Sequence, residues 1–366
     1  MTQLFEPFTI RGTTFPNRAW MSPMCTYSAL PSGQSVGEPN DFHLAHYASR
    51  AAGGVGLVLV EATGVKPEGR ISPFDLGIWN DGQVAAHRRL VKAITSAGAV
   101  AGLQLAHAGR KASIERPWLG GGPVPPAEGG WDTLAPSAVE FPDLPVPGAM
   151  TPDDIEDVVQ AWGSAARRAL EAGYEVVEVH AAHGYLLHSF LSPLSNTRTD
   201  SYGGSLENRA RIVLEAIDAV RAVWPADKPV FLRISSTDWV AEDAGDGRAA
   251  WTLEDSTTLA GWAHERGVDL VDASSGGIVP ANIPHTVDYQ TSNAAAIRNS
   301  VGDGGPAVAA VGRITDPLQA NGLIADGSAD AVFLGRALLR DASWANNAAA
   351  ALGAEGRFIK QYDYAV

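Results

Sequence analysis

Eight short runs rich in Val, Leu and Ala alternate with longer amphipathic segments, and this alternation constrains the fold more than any other feature of the chain. The runs are "AWMSPMC" (19–25), "GLVLVEA" (56–62), "AVAGLQLA" (99–106), "YEVVEVH" (174–180), "PVFLRIS" (229–235), "VDLVDAS" (268–274), "AVAAVG" (307–312) and "ADAVFLG" (329–335). They are apolar on both faces, as strands buried in a parallel sheet are. The segments between them carry helix punctuation. "TPDDIEDVVQAWGSAARRALEAG" opens with Thr151 as N-cap and Pro152 in the first turn, and stops at Gly173. "SLENRARIVLEAIDAVRAVW" opens at Ser205, "TLEDSTTLAGWAHERG" ends on Gly267, and "DPLQANGLIADG" runs from Asp316 to Gly327.

Eight strand–helix units predict an α/β fold, a single (β/α)8 TIM barrel over residues 1–366 with an N-terminal extension and capping loop insertions. A doubly wound sheet would carry a GxGxxG turn after an early strand. The glycine-rich "VGDGGPAV" (301–308) instead precedes the seventh run, which makes it a turn. The Pro/Gly-rich stretch 116–150 interrupts the third unit, and Trp118, Trp131 and Phe141 make it too apolar for a disordered linker. It reads as an excursion over the barrel mouth.

Composition narrows the partners. A net charge of −14 opposes binding to nucleic acid. No apolar run approaches the ~18 residues of a membrane span, and the first residues, "MTQLFEPFTIRG", lack the apolar core of a secretory signal. The one cysteine, Cys25, excludes a disulfide or a four-cysteine cluster within the chain. The expectation is a cytoplasmic protein that handles small molecules, with neither nucleic acid nor membrane as partner.

Barrels of this kind place their chemistry at the C-terminal ends of the strands. The seventh and eighth runs both end in Gly-Arg, at Gly312–Arg313 and Gly335–Arg336. Loops at those two positions commonly hold phosphate through backbone N–H groups. The glycines let a phosphate approach closely, and the arginines supply charge. None of Lys66, Lys92, Lys111, Lys228 and Lys360 lies within a run, against a Schiff-base aldolase. Glu61 and Glu178 lie inside their strand ends rather than at the mouth, against a glycosidase. The fourth run leads into "HAAHGY", whose His180 and His183 have metal-ligand spacing, with His107 and His188 as further candidates but no well-placed carboxylate. No metal site is expected.

A phosphorylated redox cofactor accounts for more of the strand ends. Flavin mononucleotide (FMN) needs a polar partner along its pyrimidine edge and a cation where negative charge gathers. Gln104 ends the third run and can donate and accept, although a satisfied core amide would look the same. Arg233 lies within the fifth run, where a cation needs a carboxylate or a ligand as partner. Cys25 is either a small core residue or a group packed against the ring.

"SPMCTYSA", "HLAHYASRA", "LQLAHAGRK", "HAAHGYLLHSFLSPLSNTRTDSYGGSLENR" and "FLGRALLRD" together resemble the Old Yellow Enzyme family of flavin-dependent ene-reductases, and Cys25 with "HAAH" resembles its thermophilic-like subgroup. The resemblance runs from "LFEPFTIRG" to the last strand. It implies a barrel holding FMN, reduced by NADPH or NADH and reoxidised by an activated alkene. It further implies that Ser22, Pro23, Met24 and Cys25 line the flavin, that Ala62 and Gln104 approach its ring, and that Arg233 faces its N1/C2 region. By the same resemblance Gly312, Gly335 and Arg336 hold the phosphate. His180 and His183 bind the substrate oxygen, Tyr185 supplies the proton, and Tyr27 and Lys111 flank the substrate. A homodimer or homotetramer is implied as well. Tyr364 in "KQYDYAV" stands where some members have an arginine that reaches a neighbouring subunit. The stretches 116–150 and 240–251 are expected to shape substrate access.

Overall fold

A computed structural model describes residues 2–243 and 245–366 of the chain, so one position of the 240–251 loop lies outside the described residues. Eight parallel strands close into a barrel. They are β1 (Ala19–Met21), β2 (Leu57–Gly64), β3 (Val100–Ala106), β4 (Val176–Ala181), β5 (Val230–Ser235), β6 (Leu270–Ser274), β7 (Ala307–Val311) and β8 (Ala331–Leu334). Each strand falls on one of the eight apolar runs; β2 and β4 extend past the run's end, and several others stop short of it. β1 is the extreme case: Ser22–Cys25 leave the ladder and form the start of a loop at the mouth. Closure pairs Val332, Phe333 and Leu334 of β8 with Ala19, Trp20 and Met21 of β1.

The helices around the barrel are α1 (Asp41–Ala52), α2 (Val84–Ser96), α3 (Pro152–Ala172), α4 (Leu186–Leu191), α5 (Leu206–Arg221), α6 (Leu253–Glu265), α7 (Thr291–Val301), α8 (Pro317–Ala325), α9 (Arg336–Arg340) and α10 (Trp344–Ala351). Their starts follow the sequence signals. The side chains of Thr151, Ser205 and Asp316 accept backbone N–H groups as N-caps, and Gly173 closes α3 at φ 98°. None of these helices is long and apolar enough to cross a membrane.

An N-terminal hairpin (Phe8–Ile10 with Thr13–Phe15) covers the bottom of the barrel. Phe15 packs on Trp20 at 4.6 Å between ring centroids, and Trp20 stacks on Phe231 at 5.8 Å. With Leu57, Leu59, Val176, Leu270 and Phe333 these rings form a dry plug. Strict alternation from Leu57 and Leu59 would next aim Glu61 into the barrel. A register shift between Val60 and Thr63 intervenes. Such bulges re-aim side chains: Glu61 turns out to accept from Tyr47 Oη of α1 (2.6 Å), and Ala62 joins the apolar wall at the mouth.

The stretch 116–150 carries two short 3-10 turns and a two-stranded ribbon, Leu134–Ala135 with Gly148–Ala149. It reaches the mouth through Trp131, packed on the apolar wall with Ala62, and at two further points. The Trp118 ring meets Tyr27 at 5.9 Å, and Phe141 lies 4.5 Å from the Lys111 ammonium.

His87 of α2 shows how buried polar groups tie the outer layer to the barrel. Its Nδ1 lies 2.9 Å from Tyr174 Oη and its Nε2 3.1 Å from the Gly77 carbonyl. A neutral ring satisfies both, accepting from the phenol and donating to the carbonyl. Burial lowers the pKa of His43, His46, His87 and His107 to about 4 each. An unfolded histidine titrates near ~6.5. The unfolded chain therefore takes up more protons than the folded one as pH falls from ~6.5 towards 4, and stability falls with it. Thermal midpoints measured between about pH 7 and 5 should drop as the solution is acidified. His87→Gln should make that slope shallower, because His87 alone accounts for about 2 kcal/mol by pH 5. An unchanged slope would mean that His87 is protonated in the folded state.

Candidate active site

The loop leaving β1 is anchored at both ends. Ser22 N donates to the Leu334 carbonyl of β8 (3.0 Å). Four residues on, Thr26 donates its backbone N–H (2.9 Å) and its hydroxyl (3.0 Å) to Glu61 Oε1. Burial raises the Glu61 pKa to about 7, although the hydrogen bonds from Tyr47 and Thr26 oppose it. Cys25, between the anchors, and Tyr27, just past the second, face an apolar wall that includes Ala62, Ala106 and Tyr185. Tyr27 has a φ of 52°, left-handed backbone that a non-glycine residue adopts at a cost of ~1–3 kcal/mol. Burial, then Asp75 and Glu61, push the Cys25 thiol well above its ordinary range. It is a neutral thiol at neutral pH.

"HAAHGY" crosses the end of β4. His180 pairs with Arg233 in the β4–β5 ladder, and its Nδ1 accepts from Ala182 N (3.3 Å), which leaves the proton on Nε2. His183 has a φ of 61°. Its backbone N–H donates to Ser235 Oγ (2.9 Å), and its Nε2 lies 2.6 Å from Ser274 Oγ. Sequence reasoning did not single out Ser274. The next residue, Gly184, packs against the loop after β6, and a Cβ there would sit 2.2 Å from the Gly277 carbonyl oxygen. Gly277 is equally constrained, since its Cβ would lie 2.7 Å from His183 Cα. The two loops dock only because both positions lack a side chain. Lys111 Nζ staples them, donating to the carbonyls of His183 (2.8 Å) and Gly277 (2.9 Å). From below, His188 Nδ1 accepts from Gly184 N (2.9 Å), and its Nε2 donates to Asp238 Oδ1 (3.0 Å). Lys111 and His188, read from the sequence as a substrate neighbour and a metal candidate, are here supports of the loop.

The result is a cluster of three perpendicular rings. His180 lies 5.2 Å from both His183 and Tyr185 between centroids, and His183 and Tyr185 are 6.5 Å apart. Burial, then the positive field of Arg233, hold both imidazoles well below their ordinary range, so both are neutral at pH 7. Burial pushes the Tyr185 phenol well above its ordinary range. The cluster therefore offers neutral N–H donors and one phenolic proton. Among the described residues no three His, Cys, Asp or Glu side chains converge as metal ligands.

Beside it opens a cavity of ≈ 540 Å³ lined by Ser22, Pro23, Met24, Arg233, Gly312, Gly335 and Arg336, with His183 at its edge. Gly312 has a φ of 110°, and Arg336 makes no side-chain hydrogen bond or ion pair among the described residues. A glycine loop with an unpartnered guanidinium suits a phosphate. Arg313 departs from expectation. Its Nη1 donates to the carbonyls of Pro284 (3.0 Å) and Thr286 (2.7 Å), and the guanidinium lies 4.4 Å over the Tyr289 ring. It lines the cavity and holds the 284–290 loop against it through Nη1, so of the two arginines only Arg336 has no protein partner among the described residues. Ser275 and Gln290, which also line the cavity, are linked at 2.7 Å and went unnoticed because they follow β6 rather than a Gly-Arg end. Gln104 and Arg233 have protein partners too: Gln104 Nε2 donates to Glu178 Oε1 (2.8 Å), and Arg233 Nε lies 3.1 Å from Asp272 Oδ2. The buried ion pair weighed for Arg233 is thus real, and Arg233 also lines the cavity. A cation and a phosphate cradle along one cavity, with the Gln104 amide two strands from Arg233 in the barrel, fit FMN.

Comparison with known proteins agrees. The model of the NADH:flavin oxidoreductase / NADH oxidase family matches residues 3–355. The chain is 44% identical over 363 residues to an NADPH dehydrogenase of Halalkalibacterium halodurans, covering 99% of this chain and 98% of that one. Among solved structures it resembles morphinone reductase in complex with tetrahydroNAD, with a TM-score of 0.75 and 28% identity over 97% of this chain and 92% of that chain. The 2-naphthoyl-CoA reductase complex shares the fold at a TM-score of 0.82 and 24% identity, and the chain covers 52% of it, about half its length. The chain belongs to the NADH:flavin oxidoreductase / NADH oxidase family, that of Old Yellow Enzyme, as an NAD(P)H-dependent flavin oxidoreductase with FMN as its cofactor.

Proposed function

We propose that this enzyme is an ene-reductase that uses hydride from NADPH or NADH to reduce the C=C bond of activated alkenes such as enones, enals, maleimides and nitroalkenes. One observation carries the reading: two neutral imidazoles and a protonated phenol meet at the end of β4, beside the cavity that fits FMN. FMN, when bound, accepts hydride from the nicotinamide and supplies it to the alkene.

The chain's own groups do the rest. Ser22, Pro23, Met24 and Cys25 line the ring, with Ala62 and Gln104 against its edge and Arg233 as the nearby cation. Gly312, Gly335 and Arg336 take the phosphate. Cys25, as a neutral thiol, tunes the ring by contact and not by charge. His180 and His183 hold the substrate's carbonyl or nitro oxygen, where negative charge appears only as the reaction proceeds. Donors already in place for such charge stabilise the transition state more than the ground state. Ser274 fixes which His183 nitrogen donates: if its hydroxyl donates to Nε2, Nδ1–H faces the substrate. Tyr185 delivers its proton to the α-carbon, and Tyr27 closes the site under Trp118. The same reading includes a homodimer or homotetramer, to which Tyr364, 92% exposed at the C-terminal tail, offers an aromatic contact.

Anaerobic NADPH should bleach the yellow protein, and cyclohexenone should restore the colour. Bleaching that no activated alkene reverses would leave a flavoprotein without this turnover. Tyr185→Phe should slow recolouring by ~10²–10⁴-fold and leave bleaching unchanged; equal slowing of both steps would remove its role as proton donor. His180→Ala with His183→Ala should keep FMN bound, weaken phenol binding and slow alkene reduction by at least ~10²-fold. Loss of FMN in that variant would mean that the histidines serve the cofactor. With both imidazoles held neutral and Tyr185 protonated beyond its ordinary ~10, none of these three groups should titrate in recolouring between about pH 6 and 9. The remaining changes there come from Glu61 at about 7 and Lys111 at about 8, and should persist in the double histidine variant. An inflection near pH 6.5 that the double histidine variant loses would reveal a titrating imidazole.

A further inference from the structure

Between the plug and the mouth lies a polar layer: Gln104, Glu178, Arg233 and Asp272, projecting from β3, β4, β5 and β6. The ladders place Gln104 beside Glu178 and Arg233 beside Asp272. Two carboxyl groups thus face one guanidinium. Glu178 and Asp272 are fully buried, and Glu178 Oε2 and both Asp272 carboxyl oxygens have no hydrogen-bond partner among the described residues. If both carboxyls were ionised, the layer would carry an unbalanced negative charge away from water, which proteins avoid by keeping a proton. Distance decides which group keeps it. Asp272 has the cation at 3.1 Å, whereas the one hydrogen bond to Glu178 comes from a neutral amide.

We propose that Glu178 is a positioning residue for the cofactor's pyrimidine edge, held as a neutral acid that fixes the Gln104 amide and leaves Arg233 paired to Asp272 alone. Because Nε2 of Gln104 points inward to Glu178, its Oε1 is set as an acceptor on the cofactor side, ready for an imide N–H. A protonated Glu178 also does not compete for Arg233, whose cation stays directed at the cavity it lines. Burial, and then the Asp272 charge, push Glu178 well above the usual carboxylate range; Arg233 limits the rise at Asp272 to about 6. This inference rests on the roles proposed for Gln104 and Arg233.

The test uses apoprotein titrated with FMN by fluorescence quenching, and infrared spectra of the apoprotein at neutral pH. Glu178→Gln keeps an uncharged acceptor for Gln104 and should bind FMN within about threefold of the wild type, whereas Glu178→Leu removes it and should weaken binding roughly tenfold. The wild-type minus Glu178→Gln difference spectrum should contain the carbonyl stretch of a protonated carboxylic acid, since the contributions of Glu61 and Asp75, both raised to about 7, cancel in the difference. Equal weakening in both variants, equal retention in both, or a difference spectrum without that band would overturn the proposal. If Glu178→Leu fails to fold, Glu178→Gln and the infrared band still decide. Wild-type apoprotein that takes up no FMN would overturn the cofactor assignment itself, an outcome distinct from any difference among the variants.

Discussion

The ladder between the last strand and the first is the constraint on which the site depends. Three pairs, Val332 with Ala19, Phe333 with Trp20 and Leu334 with Met21, bring residues more than 300 positions apart into neighbouring strands, which lie ~4.8 Å apart in a sheet. Closure sets Ser22–Met24 beside Gly335–Arg336, so the loop after β1 and the Gly-Arg loop after β8 share one cavity. It also leaves no open sheet edge. The aromatic plug beneath supports the closed ring from inside, and the N-terminal hairpin shields the plug from water.

Above the plug, burial governs the electrostatics more than any single partner does. Desolvation is the first cause of the shifts at Cys25, Glu61, Glu178, His180, His183 and Tyr185. In each case it favours the neutral form. The mouth therefore holds few formal charges apart from Arg233, Arg336 and Lys111. That suits a reaction in which charge arises during hydride transfer and must be met by oriented dipoles. The orientation comes from backbone and loop contacts: left-handed Tyr27 and His183, the Gly184–Gly277 approach and the two donors from Lys111.

Much of this was legible in the sequence because local patterns carry it. Both-face apolarity marks a buried parallel strand wherever it occurs, and all eight were found. N-cap residues and terminal glycines are read locally, and Thr151, Ser205 and Gly173 behave as read. Less local facts escaped. The bulge that exchanges Glu61 for Ala62 depends on register against β3. Arg313 has the same sequence neighbourhood as Arg336, yet carbonyls some 30 residues earlier in the chain claim it. Ser274, Gln290 and Asp238 have no motif to announce them, and Lys111 and His188 stand in quoted motifs that do not announce them as loop supports, because each acts through a partner on another loop.

By itself, then, the sequence determined the barrel, the strand ends where chemistry lies, the family and the presence of a His-His-Tyr set after β4. Periodicity, capping and a contiguous motif are properties of neighbouring residues, so one dimension suffices to read them. The tertiary structure alone decided which side chains are committed to protein partners and which remain for a ligand, and which titratable groups lose their charge. Both depend on how far a group lies from water and from residues distant in sequence, and those distances exist only once the last strand has closed on the first.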